Sequence, residues 1–155
     1  MRIRFLAIAG GLLLSACVGP APPPVTYAVH SYGCCTEITG NDTWHAGQRL
    51  TLHWTQQSPG TTTDANPQQV VLSASLTGPF ATVDGLKQAT SQGIKPAGVR
   101  TIDAASVTVS DRDVVTPASQ LNLPADLPPG YYNLATQAAT AGGSSGGGAV
   151  IVVVP

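Results

Sequence analysis

The sequence predicts an all-β fold, an antiparallel β-sandwich, and three observations carry that expectation. Two segments, "GQRLTLHWT" at 47–55 and "QVVLSASLTG" at 69–78, alternate apolar and polar residues with the period of half-buried strands. Only 5% of the residues are aromatic, while Thr and Val are frequent and 13 prolines interrupt the chain, a composition that favours strands and turns over helices. Several further short apolar runs are separated by turn-forming residues, as in sandwiches. With 155 residues the chain suits one domain that buries its own core.

Taken in order, the first strand places Leu50, Leu52 and Trp54 on one face and Thr51, His53 and Thr55 on the other. "QQSPGTTTDANPQ" at 56–68 reads as a polar loop rich in turn formers. The next strand directs Val70, Leu72, Ala74 and Leu76 inward. "TVDGLKQATSQG" at 82–93 predicts a short helical turn capped by Asp84 and limited by Gly85 and its β-branched neighbours. "GVRTI" (98–102), "SVTV" (106–109) and "SQLNLP" (119–124) read as short strands, and a Pro-Gly turn leads into another from about Tyr131. "AGGSSGGG" at 141–148 reads as a flexible connector to "AVIVVV", a central strand buried on both faces and too short to span a membrane. The expected core gathers Leu50, Leu52, Trp54, Leu72, Leu76, Leu134 and Val152.

"LPPGYY", Leu127 to Tyr132, resembles the turn into the penultimate strand of immunoglobulin-like and fibronectin-like domains. In those domains a tyrosine two residues after a glycine bonds back across the corner. The resemblance implies an immunoglobulin-like sandwich with Tyr132 as the corner tyrosine and Trp54 as a core aromatic. It departs from antibody domains in lacking a cysteine pair between the sheets.

The N-terminus carries an address. Arg2 and Arg4 precede an apolar run from Phe5 to Leu14, the pattern of a secretory signal. "LSAC" at Leu14 to Cys17 resembles the lipobox of bacterial lipoproteins. That resemblance implies cleavage after Ala16 and lipidation of Cys17, which would hold the protein to a membrane from the extracytoplasmic side. Val18 stands where many enterobacterial lipoproteins retained in the inner membrane have aspartate. Pro20 and Pro22 to Pro24 then favour a stiff polyproline tether. The expected organisation is a signal peptide at 1–16, a lipidated Cys17 with a Pro-rich linker at 17–26, and the sandwich domain at 27–155.

Composition and motifs narrow the function. Seven basic residues face eight acidic ones, and loss of Arg2 and Arg4 with the leader leaves a net charge of about −3, which argues against a nucleic-acid partner. No nucleophile elbow, zinc-protease motif, Walker loop or CxxC pair occurs. "DRD" at 111–113 reads as a solvated turn without the further ligands of a calcium loop. A non-catalytic module that binds an envelope protein or polysaccharide is the leading expectation, and an enzyme with a dispersed site is the third.

The second is a metal protein, because "SYGCC" places Cys34 beside Cys35 within a stretch that also holds His30, Glu37 and His45. Thiolates and imidazoles suit copper or zinc. The spacing matches no structural zinc pattern, and His45 and His53 also read as surface residues flanking the first strand. In an oxidising compartment with Cys17 lipidated, Cys34 has only Cys35 as a partner in its own chain. A vicinal disulfide, an intermolecular bridge and reduced thiols are the alternatives. Adjacent Cα atoms lie about 3.8 Å apart across a trans peptide, so a vicinal bond requires a turn, which Gly33 permits.

Overall fold

The computed structural model describes residues 22–40, 42–57 and 59–155. The leader and Cys17 lie outside the described residues, and residues 22–26 at the end of the Pro-rich stretch are exposed and carry no regular structure. The chain is all-β with one helix among the described residues. Its elements are β1 (Tyr27–Val29), β2 (Tyr32–Cys34), β3 (Thr43–His45), β4 (Arg49–Gln56), β5 (Gly60–Thr62), β6 (Gln69–Phe80), α1 (Val83–Gln92), β7 (Arg100–Asp103), β8 (Val107–Ser110), β9 (Ala118–Asn122), β10 (Gly130–Thr140) and β11 (Gly143–Val154).

A six-stranded sheet runs β3-β11-β10-β6-β7, with β8 pairing the first half of β6. A three-stranded sheet runs β2-β4-β9, and β1 pairs β5 on its own. All pairings are antiparallel except β3 with β11. The core brings together the inner faces of the two larger sheets. Leu52, Trp54 and Leu121 come from the small sheet, and Val70, Leu72, Ala74, Leu76, Tyr132, Leu134, Ile151 and Val153 from the large one. Alternation in β4 and β6 thus reports burial correctly, with Leu50 only half-buried at the rim. The Trp54 indole N–H donates to the buried Ser119 hydroxyl at 3.0 Å, so the largest core side chain keeps its polar atom satisfied.

Five expectations change. The stretch 141–148 is not a free connector, because β11 begins at Gly143 and pairs residue by residue with β10 across a two-residue turn, Thr140 opposite Gly143. Backbone hydrogen bonds need no side chains, so glycine content did not prevent pairing. Within β11 the inward residues are Ile151 and Val153 and not Val152, which lies opposite Tyr131. A run that is apolar at every position has no phase of its own, and the partner strand supplies it.

The helical turn grows to ten residues, capped by Thr82 and not Asp84: the Thr82 hydroxyl accepts from Gly85 N–H at 3.0 Å. Gly93 closes the helix with φ of 63°. Leu86 and Ala89 pack with Phe80, Tyr131 and Val150 on the outer face of the large sheet. That packing outweighs the modest propensity of the segment. In addition, β1, β2, β3 and β5 have three residues each, too few for an alternation to be read, and β5 falls within the expected polar loop.

The turn at 111–113 is tied down. Asp111 and Asp113 accept from the backbone N–H groups of Gln68 and Ser110, at 2.9 and 2.8 Å. The Arg112 guanidinium donates to the carbonyls of Asp64 and Ala65 and lies 4.3 Å from the centre of the Tyr27 ring. This arginine therefore links β1 and the loop before β6 to the β8 turn, where a solvated turn was expected.

Candidate functional site

The site follows from a change of composition within one strand. In β11 the residues that face the small sheet run Val153, Ile151, Ala149, Gly147, Ser145. The first two fill the space between the sheets. The last three do not, and Thr136 and Ala138 opposite them on β10 are also small. The space between the two sheets therefore opens into a cleft along this end, roofed by β2.

Cys34 stands in the middle of the roof. On one side the cleft holds about 190 Å³ between Cys34, Cys35 and Ile38 above and Leu134, Thr136 and Gly147 below. On the other side about 300 Å³ lies among Tyr32, Gly33, Trp54, Gln57 and the Ser145–Gly147 backbone. These volumes lie at or under the lower end of small-molecule sites, so the cleft suits a side chain or a narrow segment more than a drug-sized ligand. Its walls are apolar, hydroxyl and amide groups, and among the described residues they carry no carboxylate, imidazole or amine.

The Cys34 and Cys35 side chains face one another across a cis peptide, with Cα atoms 3.1 Å apart and their sulfur atoms in contact. The trans spacing assumed for adjacent residues does not apply here. Gly33 lies within β2 and does not form the turn, which instead follows the pair, with Ile38 N–H donating to the Cys35 carbonyl at 3.1 Å. A Cβ at Gly33 would meet the end of the exposed Gln57 side chain, which is free to swing aside.

The histidines are dispersed. His30 lies between β1 and β2, and its backbone N–H donates to Asp111 O at 2.6 Å. The Nδ1 atom of His45 lies 3.0 Å from the Pro155 carbonyl oxygen at the far end of β11. His53 projects from the outer face of β4 and pairs with Glu37 at 2.5 Å, both side chains being well exposed. An exposed pair of this kind contributes on the order of 0.2–1 kcal/mol. Among the described residues no three His, Cys, Asp or Glu side chains gather in a group able to hold a metal ion, so His30, Cys34, Cys35 and His45 do not meet at one point. No helix among the described residues is long and apolar enough to cross a membrane.

Sequence reasoning singled out Cys34 and Cys35 but missed Thr136, Ser145 and Gly147 opposite them. The available signal was the loss of side-chain volume at every second residue of 145–149, visible once that stretch is read as strand.

Tyr132 is fully buried and its hydroxyl donates to the Pro128 carbonyl at 2.7 Å. Burial pushes its phenol above the usual value of 10.0, with the Arg100 charge acting in the opposite direction. Gly78 on the neighbouring strand makes room for the ring, since any Cβ there would collide with it.

No protein-family model matches this chain, and no curated protein matches it. Among solved structures, a family 123 glycoside hydrolase from Clostridium perfringens, described in work on glycolipid glycan hydrolysis, is similar with a TM-score of 0.46 and 13% identity. The match covers 81% of this chain and 27% of that one. At that level the likeness carries no inference about activity.

Proposed function

We propose that this chain is a lipid-anchored protein of the bacterial cell envelope, held to the membrane through Cys17, whose immunoglobulin-like sandwich binds an envelope component without catalysing a reaction. The anchor rests on the "LSAC" lipobox behind an apolar leader and on the Pro-rich stretch that would lift the domain off the lipid. The immunoglobulin-like assignment is supported by the Tyr132 to Pro128 hydrogen bond at the "LPPGYY" corner and by the buried Trp54. One observation carries the binding role: the cleft under Cys34 and Cys35 is open and lined by small, apolar and amide groups, and among the described residues its lining carries no carboxylate, imidazole or amine.

Crosslinking the intact lipoprotein in its own envelope tests this. A reproducible adduct is expected, and Gly147→Leu should abolish it by filling the cleft. A Cβ at Gly147 meets only Thr136 Oγ1, at 3.7 Å, so the backbone tolerates the change. An adduct that forms equally well with Gly147→Leu would place binding elsewhere, and the absence of any adduct would sink the binding role.

A further inference from the structure

The six-stranded sheet has an edge that the described residues leave open. On the side of β11 away from β10, β3 covers only Val152 to Val154 among the described residues. The parity of the backbone follows from two hydrogen bonds there: Val152 N–H donates to Asp42 O at 3.1 Å, and Val154 O accepts from Ala46 N–H at 3.3 Å. Even-numbered residues of β11 thus direct their N–H and C=O groups toward this edge, which extends the row to Ser144, Gly146 and Gly148. All three residues are exposed, and among the described residues no backbone hydrogen bond reaches them from outside β11 and β10.

Natural sheets blunt such edges with lysine, proline or bulges, and Gly143 to Gly148 carries none of these. Glycines also leave the edge sterically bare. The edge is flanked by depressions on both faces of the sheet. On the inner face is the 190 Å³ pocket of Cys34, Cys35 and Ile38; on the outer face is a 290 Å³ pocket lined by Leu86, Lys87 and Thr90 of α1. Both pockets touch Gly148 and Ala149. A strand laid on this edge sends successive side chains to opposite faces, one into each pocket.

From this the geometry points to strand addition: the β11 edge from Ser144 to Gly148 accepts an extended segment of a partner polypeptide that carries two adjacent apolar residues. Main-chain hydrogen bonds supply the affinity and the two pockets the selectivity. A second copy of this chain is the poorer occupant, because its own Gly143–Gly148 edge offers only the small, polar side chains of Ser144 and Ser145, which do not fill either apolar pocket. The proposal deepens the binding role proposed above and rests on it, naming the partner's chemistry and the strand that receives it.

The test uses the intact protein and a fluorescein-labelled eight-residue peptide, threonine throughout except for valine and leucine at the two central positions. Saturable binding is expected, with slowed amide exchange at Gly146 and Gly148. Gly148→Pro removes one edge-facing N–H while sparing the bonds to β10, and proline is tolerated on edge strands. It should weaken binding about tenfold, the order expected for one backbone hydrogen bond plus its local fit. Independently of how that variant folds, N-methylating alternate peptide amides should abolish binding for one of the two methylated sets and spare the other. No binding at about 1 mM peptide, the weakest range worth measuring, overturns strand addition. So does equal tolerance of both methylated sets. A peptide-free dimer that Gly148→Pro dissociates makes a second copy the occupant and also overturns it. Should the peptide fail while crosslinking still captures a cleft-dependent adduct, the binding role survives and only strand addition falls.

Discussion

Removing one oxygen atom, in Tyr132→Phe, tests the corner and the burial of the ring together. The ring stays, so packing over Gly78 and against the core is kept, and the truncation cost of about 3–5 kcal/mol for losing a whole aromatic does not apply. What is lost is the 2.7 Å hydrogen bond to the Pro128 carbonyl. Pro128 is only half-buried, so water can replace the missing donor. The expected cost near neutral pH is therefore about 0.5–1.5 kcal/mol, not the larger penalty of a sealed, unsatisfied carbonyl.

The pH dependence adds an independent sign. Burial raises the phenol above 10.0 in the folded protein, so between the unfolded and folded values the native state holds the proton more tightly. The contribution of this group to stability is thus fully present below pH 10.0 and lost as pH rises through the folded value, at no more than about 1.4 kcal/mol per pH unit. Urea denaturation of both proteins from neutral pH to beyond pH 10.0 separates the two effects. The wild type should lead at neutral pH, and its lead should shrink above pH 10.0 because phenylalanine has no proton to lose. Equal stability at neutral pH would refute the corner bond. A lead that stays constant through alkaline pH would refute the burial argument.

Other outcomes follow from the same structure. Leu52→Ala should cost about 2–5 kcal/mol in chemical denaturation, since the side chain is only 2% exposed; a negligible loss would put β4 in the wrong phase. Ile151→Ala should fall in the same range of about 2–5 kcal/mol while Val152→Ala costs under about 1.5 kcal/mol, and a reversed order would overturn the β10–β11 register. Cys17→Ser should leave the protein unprocessed or released from membranes, and a variant still processed and membrane-bound by fractionation contradicts the anchor. For the cysteine pair, mass spectrometry of the thiol-blocked, non-reduced protein should find a monomer lighter by two hydrogens. Two blocked thiols per chain would exclude the vicinal disulfide and revive a copper or zinc role for Cys34 and Cys35.

What could be read in the linear chain was what local chemistry encodes. The alternation of Leu52 and Trp54, and of Val70, Leu72, Ala74 and Leu76, reports which face meets the core, because side chains on a strand alternate whatever the partner. The expectation of an address likewise rests on contiguous residues, Arg2 to Cys17. Tyr132 was legible through its Pro-Gly turn. The apolar run at 149–154 had no such internal reference, since every residue fits either face, and only pairing with β10 chose Ile151 and Val153. The stretch at 143–148 resembled a linker because glycine and serine carry no burial signal, yet its backbone groups find partners on β10. The cleft itself joins Cys34 to Gly147, residues more than a hundred positions apart. Long-range pairing decides such juxtapositions, because hydrogen bonds between strands constrain positions that no local preference relates.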